Sequence, residues 1–315
     1  MKKDSTRFFT AIFVVFLMIT IVDIAVGFVS DKVMEMLPNY SSQKLAKDNY
    51  RLHRLDTKIV ILGSSRGSHH YVTRQLSDSI NTFFGEDISI YNASIDGQFA
   101  NSNSCAAETI VARYRPKLVI YDIPESQLAS SSAADIEFSA PFYWNDSIVH
   151  RYLNNLGIKE KILMKSSLFR YNDKIFRIAS SFLRTIEVDD GYLPIYGSTI
   201  DTASVVPLNK KTPTRVLDDY TVNNFENVLK RYSSSNVPLI IVCSPCFRPN
   251  DNNEKLSELC KKYKVPFIDL YDTPYFNSHP ELFKDRWHLN DDGAHYYTAL
   301  FFEKLKPYLE TLEID

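Results

Sequence analysis

Two short segments near opposite ends of the chain carry residue types that could make and break an acyl bond. The first is Gly63-Ser64-Ser65-Arg66-Gly67, which follows directly on the apolar run KIVIL at 58–62. A serine where a strand passes into a helix sees free backbone N–H groups and the positive end of the helix. Such a turn suits a nucleophile beside an oxyanion hole, or a bound phosphate. The segment lacks the lysine of a phosphate-binding P-loop and the glycine spacing of a dinucleotide fingerprint. Taken alone it also describes an ordinary small-residue helix cap, so it needs a base to become a site. The second segment, Asp285-Arg286-Trp287-His288, precedes the last helical pattern. A carboxylate three residues before a histidine can hold the Nδ1 proton and leave Nε2 facing a serine hydroxyl. A lone Asp-x-x-His has a plainer reading as a capped turn beside a surface histidine. The other histidines, His53, His69, His70, His150, His279 and His295, lack such a companion, and His69 and His70 are expected on the surface of the helix after Ser65.

The elements that must position these residues alternate in type. Apolar runs at 58–62, 88–91, 117–123, 237–242 and 266–270 read as strands. Amphipathic stretches at 68–84, 100–113, 217–232, 253–263 and 292–309 read as helices between and after them. Uninterrupted apolar strands separated by helices predict a five-stranded parallel sheet covered on both faces, a three-layer α/β/α sandwich of flavodoxin-like type. Residues 129–215 break the rhythm. An insertion after the third strand lies at the carboxyl edge of the sheet, where open α/β folds place their sites. It is expected to be a lid or substrate wall, or else a packing subdomain or oligomer contact. Phe142, Tyr143, Trp144 and Tyr192 within it are of a type that stacks on sugar rings, although most such residues simply fill cores.

Composition sets the outer limits. The chain has 315 residues, 36 Lys+Arg against 38 Asp+Glu for a formal charge of −2, 44% hydrophobic and 23% charged residues. These values exclude a disordered, collagenous or polytopic membrane protein, and the near-neutral balance argues against a nucleic-acid partner. No metal cluster or cofactor motif is visible. The mean hydropathy of −0.21 averages two solvents. Residues 8–29 hold one charge, Asp23, after Lys2, Lys3 and Arg7, and are long enough to cross a bilayer. The expected organisation is a membrane anchor over 1–30 with the body extracytoplasmic, a polar stalk over 31–56, and one domain over 57–315. A cleaved signal peptide ending at Ala25-Val26-Gly27 is the competing reading. Asp23 is either a snorkelling carboxylate or a contact with another membrane protein. Cys105, Cys243, Cys246 and Cys260 are too few for a disulfide scaffold. Cys243-Ser244-Pro245-Cys246 has redox-motif spacing but ends an apolar run, where cysteine is usually core filler, and a bridge between the two stays open.

Together the two chemical segments resemble the SGNH (GDSL-like) hydrolase superfamily. Gly63-Ser64-Ser65 sits where that family has Gly-Asp-Ser, with Ser64 in place of the aspartate. Asn92-Ala93-Ser94-Ile95-Asp96-Gly97 looks like its second block, and Asp285 with His288 like its last. The resemblance covers about residues 57–128 and 216–312. It implies Ser65, Asp285 and His288 as catalytic residues, the N–H groups of Ser65 and Gly97 as oxyanion hole, and Ser64, Arg66, Asn92 and Trp287 as substrate contacts or supports. The family's third block supplies an oxyanion asparagine, whereas this chain reads Tyr121-Asp122-Ile123-Pro124-Glu125-Ser126. Losing one such donor costs about 3 kcal/mol of transition-state stabilisation. The amino-terminal anchor and Gly-Ser-Ser start are similar to the membrane-attached DltD-like and alginate-acetylation-like branch. That branch implies an esterase or O-acyltransferase acting on acyl, above all acetyl, esters of envelope glycans. Its alternative is a non-catalytic scaffold that recruits a multispanning membrane acyltransferase.

Overall fold

The apolar runs become one parallel sheet. The computed structural model describes residues 2–37, 44–129, 133–183, 190–200, 216–249 and 252–312. Strands β1 (Ile59–Leu62), β2 (Ile90–Asn92), β3 (Leu118–Asp122), β4 (Leu239–Cys243) and β5 (Phe267–Asp269) lie in the order β2-β1-β3-β4-β5, and every pair is parallel. The helices in chain order are α1 (Lys2–Met34), α2 (Lys44–His53), α3 (Ser65–His70), α4 (Thr73–Phe84), α5 (Ala100–Arg113), α6 (Ala133–Glu137), α7 (Ser147–Leu156), α8 (Ile158–Leu163), α9 (Ser167–Tyr171), α10 (Lys174–Leu183), α11 (Asp219–Ser233), α12 (Glu254–Tyr263), α13 (Pro274–Ser278) and α14 (Asp291–Leu309).

Side chains on successive strand residues point to opposite faces, which splits the core in two. Val60, Leu62, Val119, Tyr121 and Ile241 join the buried residues of α2, α5, α11 and α12. Ile59, Ile61, Ile120, Ile240 and Val242 join those of α4 and α14. Both faces are covered, which is why the strands carry no polar alternation. The chain leaves β1 toward β2 on one side and returns to β3 on the other. The crevice at the carboxyl ends of β1 and β3 is therefore the topological switch point, the place where such sheets bind ligands.

Two sequence expectations are corrected here. Residues 68–84 are not one helix, because the chain breaks at Tyr71 and Val72: Tyr71 is buried edge-on against Tyr297 and Phe301, and the Val72 N–H donates to Thr298 Oγ1 at 2.9 Å. Nor does the segment expected as a stalk over 31–56 stand off the body. α1 continues to Met34, and α2 buries Leu45, Tyr50 and Leu52 in the core. Its polar residues are sealed as well. Arg51 donates to Asp48 at 2.7 Å, to Asn103 at 2.9 Å, to Ser102 at 3.0 Å and to Gln98. Lys47 donates to the Ser94 carbonyl at 2.8 Å and the Gly191 carbonyl at 2.9 Å. Burial pushes the Lys47 ammonium down to about 7 against the opposing pull of Asp96. A polar sequence thus packs as core because its partners are supplied from distant elements.

The insertion has two parts. Helices α6 to α10 pack against α5, α2 and α1, as in the packing-subdomain reading. Phe142 and Tyr143 are buried there rather than held out to a sugar. The stretch 190–200 instead runs past the carboxyl edge of the sheet as a strap. Asp23 is tied into the body itself: its carboxylate caps α9 of this insertion.

Candidate functional site

Ser65 is the first residue of α3, three residues past the end of β1. From Ile59 to Thr73 it is the one residue that is not buried. The tight approach of this turn explains the flanking glycines. A Cβ on Gly67 would overlap the Ser94 side chain, and one on Gly63 would press on the Asp122 carbonyl at 3.2 Å. Ser65 Oγ lies 2.7 Å from His288 Nε2. On the other side of the ring, Nδ1 lies 2.9 Å from both Asp285 oxygens. Asp285 also accepts the N–H groups of Trp287 at 2.8 Å and His288 at 3.0 Å. Partial burial would raise the Asp285 carboxyl, but the His288 hydrogen bond and the Trp287 N–H outweigh it and hold it below the ordinary value. An ionised Asp285 fixes the Nδ1–H tautomer, which leaves the Nε2 lone pair for the Ser65 hydroxyl. The structure thus brings Ser65, His288 and Asp285 into one line from two ends of the chain.

The loop carrying Asp285 and His288 is held on several sides. The Lys284 N–H donates to the His288 carbonyl at 2.8 Å, and Phe283 pairs with Leu289. Cys246 Sγ donates to the Arg286 carbonyl at 3.3 Å. His70 is fully buried, not on the helix surface as its position after Ser65 suggests. Its Nε2 accepts the Leu289 N–H at 3.0 Å, so Nδ1 carries the proton and faces Ser244 Oγ at 2.9 Å. Burial, with the Arg66 charge nearby, pushes His70 well below its ordinary value and keeps it neutral. His69 also leaves the surface: it meets His288 edge to face with centroids 5.7 Å apart, and lies 3.2 Å from Asp96. Burial would lower His69, but Asp96 raises it above the usual imidazole value. The strap completes the frame. Leu193 bonds the Ser68 carbonyl through its N–H and His69 Nδ1 through its carbonyl, Ile195 accepts from Asp291 N–H, and Thr199 donates to the Lys284 carbonyl.

The remaining candidate residues divide. Ser64, Arg66 and Trp287 line a cleft of about 420 Å³ with Ser65, His288, Phe99, Pro124 and Gln127. Arg66 is buried beneath it, paired with Asp122 at 3.2 Å and over the Tyr271 ring at 5.2 Å. Burial would lower Arg66, but Asp122 holds it above its ordinary value, a support rather than a free cation. Asn92 is fully buried and does not line the cleft. It braces two loops, donating to the Gly67 carbonyl at 2.8 Å and accepting the Ser94 N–H at 3.1 Å. Gly97 has φ of 77°, a left-handed conformation that favours glycine, and the loop before it is held by Lys44 Nζ on the Asp96 carbonyl at 2.6 Å. Gln127 is the residue that sequence reasoning missed. It sits on the turn after β3, and its amide lies 2.9 Å from Ser64 Oγ with Oε1 unpartnered among the described residues. Only its place just past the third-block segment hinted at it.

A larger cleft of about 750 Å³ lies at the amino edges of β3 and β4, around Lys117 and Pro238, remote from these groups, so size does not mark the site here. The four thiols are free and buried. Burial pushes Cys243 well above its ordinary value, which removes the thiolate that a redox role would need. Tyr192 does not face the cleft as a free ring either, since its hydroxyl donates to Asp291 at 2.7 Å.

Comparison with known proteins gives distant likenesses. No family model matches the sequence, and no curated protein matches it either. Among solved structures, a gut microbial diltiazem-metabolizing enzyme is 11% identical with a TM-score of 0.39, the match covering 79% of this chain and 46% of that one. A lipase/acylhydrolase from Enterococcus faecalis is 13% identical with a TM-score of 0.41, covering 82% of this chain and 99% of that one. The chain spans about half the length of the first of these. Such scores carry no assignment, and the functional reading rests on the geometry of Ser65, His288 and Asp285.

Proposed function

We propose that the protein is a membrane-anchored serine esterase or O-acyltransferase working outside the cytoplasm on acyl esters, acetyl esters of envelope glycans first among them. Ser65 Oγ attacks the ester carbonyl while His288 Nε2 takes its proton. The N–H groups of Ser65 and Gly97 receive the developing oxyanion, and Gln127 supplies a side-chain amide in place of the missing asparagine. His288, held by Asp285, returns the proton to the leaving alcohol as the tetrahedral carbon collapses to an acyl-Ser65. Water or a sugar hydroxyl then attacks that ester, with His288 again the base. Phe99, Pro124 and Trp287 give the acyl group apolar walls.

The observation that carries this reading is the 2.7 Å approach of Ser65 Oγ to His288 Nε2, with Asp285 behind, in a cleft whose walls include Phe99, Pro124 and Trp287. The resemblance of three sequence blocks to SGNH hydrolases supports it. Anchoring is supported by α1, in which the uncharged residues 8–22 follow Lys2, Lys3 and Arg7 within a helical span, Ser5–Met34, long and apolar enough to cross a membrane. A fluorophosphonate probe is expected to label the purified protein, and Ser65→Ala to abolish labelling. A protein that never labels and hydrolyses no acetylated sugar or aryl ester would make it a scaffold instead.

A further inference from the structure

The folded body grips α1 before α1 has risen far enough to cross a bilayer. Along residues 8–22 the side chains are exposed apart from the half-buried Thr20. Asp23 is where the grip begins: its carboxylate accepts Ser166 Oγ at 2.6 Å, the Ser167 N–H at 3.1 Å and the Leu168 N–H at 2.8 Å, capping α9. One turn on, a Cβ at Gly27 would overlap the Ser167 side chain, and the Tyr171 hydroxyl donates to Asp31. Residues 8–22 rise only about 22 Å, whereas the hydrocarbon core is about 30 Å thick and needs about 20 residues. The shortfall falls on the turn of α1 that is packed against α9. If α1 crosses the membrane, α9 and its neighbours must therefore enter the membrane boundary with it.

The insertion is built for that boundary. Its helices α8 to α10 expose Ile158, Ile162, Leu168, Ile175, Phe176 and Phe182, with Phe176 82% and Ile158 80% accessible. Exposed Lys159, Lys161 and Lys165 stand among them. Large exposed apolar side chains on short helices, interleaved with lysine, are the chemistry of a helix lying in the headgroup and acyl boundary of an anionic bilayer. We propose that α8 to α10 form an interfacial platform that rests in the outer boundary of the lipid bilayer that α1 crosses. This rests on the reading of α1 as an uncleaved anchor. It makes α1 part of the body's structure as well, since cleavage at Ala25-Val26-Gly27 would remove the cap of α9.

The test uses the full chain reconstituted in vesicles of phosphatidylethanolamine and phosphatidylglycerol. The four native thiols are buried, so cysteines introduced at exposed positions are labelled selectively with an environment-sensitive fluorophore. Labels at Phe176→Cys and Ile158→Cys are expected to shift to the blue and to be quenched by nitroxide lipids carrying the spin near the headgroup. A label at Val15→Cys should be quenched by a deep nitroxide, and one at Lys304→Cys, on α14 across the sheet, by neither. Quenching at position 15 with aqueous emission at 158 and 176 overturns the platform and leaves the anchor standing. Aqueous emission at position 15 overturns the anchor reading and the platform with it. Blue-shifted emission at 158 and 176 without lipid quenching overturns the platform in favour of a contact with a second copy of the chain.

Discussion

Two of the dense polar clusters among the described residues differ in whether one face stays open. At the first, the His288 and Asp285 side chains keep 24% and 43% of their surface, and Ser65 is the one open residue on its turn. At the second, Arg51 and Asp48 are fully enclosed between α2 and α5, with Gln98, Ser102 and Asn103 around the guanidinium. Both contain an acid, a base and hydroxyl or amide groups. Only the first leaves a nucleophile with unshared lone pairs facing a cleft. The enclosed cluster directs its hydrogen bonds inward, so its polarity joins α2 to the domain. Polar residues alone therefore do not mark a site; a polar group with an open direction does.

Breaking the open cluster should change chemistry far more than stability. Ser65→Ala is expected to remove about six decades of kcat on a reactive ester, with an unchanged denaturation midpoint. Asp285→Asn should cost about four decades, because the wrong tautomer then faces Ser65. Its stability signature has a defined sign. The Asp285 carboxyl is held below its unfolded value, so its contribution is present above about pH 4 and is lost as pH falls through the folded value. Urea melts of wild type and Asp285→Asn should differ at neutral pH and converge in acid; a gap that widened in acid would contradict the assigned hydrogen bonds.

Breaking the enclosed cluster should do the reverse. Arg51→Met leaves Asp48 buried and uncompensated, which is expected to lower stability by about 3–5 kcal/mol in equilibrium unfolding while kcat per folded molecule stays unchanged. A large loss of kcat in the folded variant would mean that α2 controls the Ser94–Gly97 loop more directly than its hydrogen bonds indicate. Gln127→Ala sharpens the contrast from the open side. If its amide serves the oxyanion, kcat should fall about 10²-fold with little change in KM or in the melting curve.

These differences also explain what could be read from the sequence. The strand ending in Gly63-Ser64-Ser65 and the Asp285-to-His288 spacing are local patterns, since a turn and an i,i+3 pair are set by backbone geometry over a few residues. The five strands were legible for the same reason. The burial of α2 was not: Lys47, Asp48 and Arg51 look like a solvated stalk until Ser94, Gln98 and Asn103, about fifty residues away, are brought to meet them. His70 was misplaced on the same grounds, because its partners Ser244 and Leu289 come from the far half of the chain. Gln127 was missed because a glutamine one residue beyond the expected block has no local signature.

By itself the sequence determined the layer architecture, the apolar amino-terminal helix and the three residues with the right chemistry to act together. It did so because hydrophobic period and short-range spacing depend only on neighbouring residues. The tertiary structure alone decided that Ser65 and His288, 223 positions apart, stand 2.7 Å from each other, that the polar second helix is core, and that α1 is gripped by the insertion at Asp23. Those outcomes depend on which distant groups satisfy each buried donor and acceptor, and such pairing is set only when the whole chain has closed on itself.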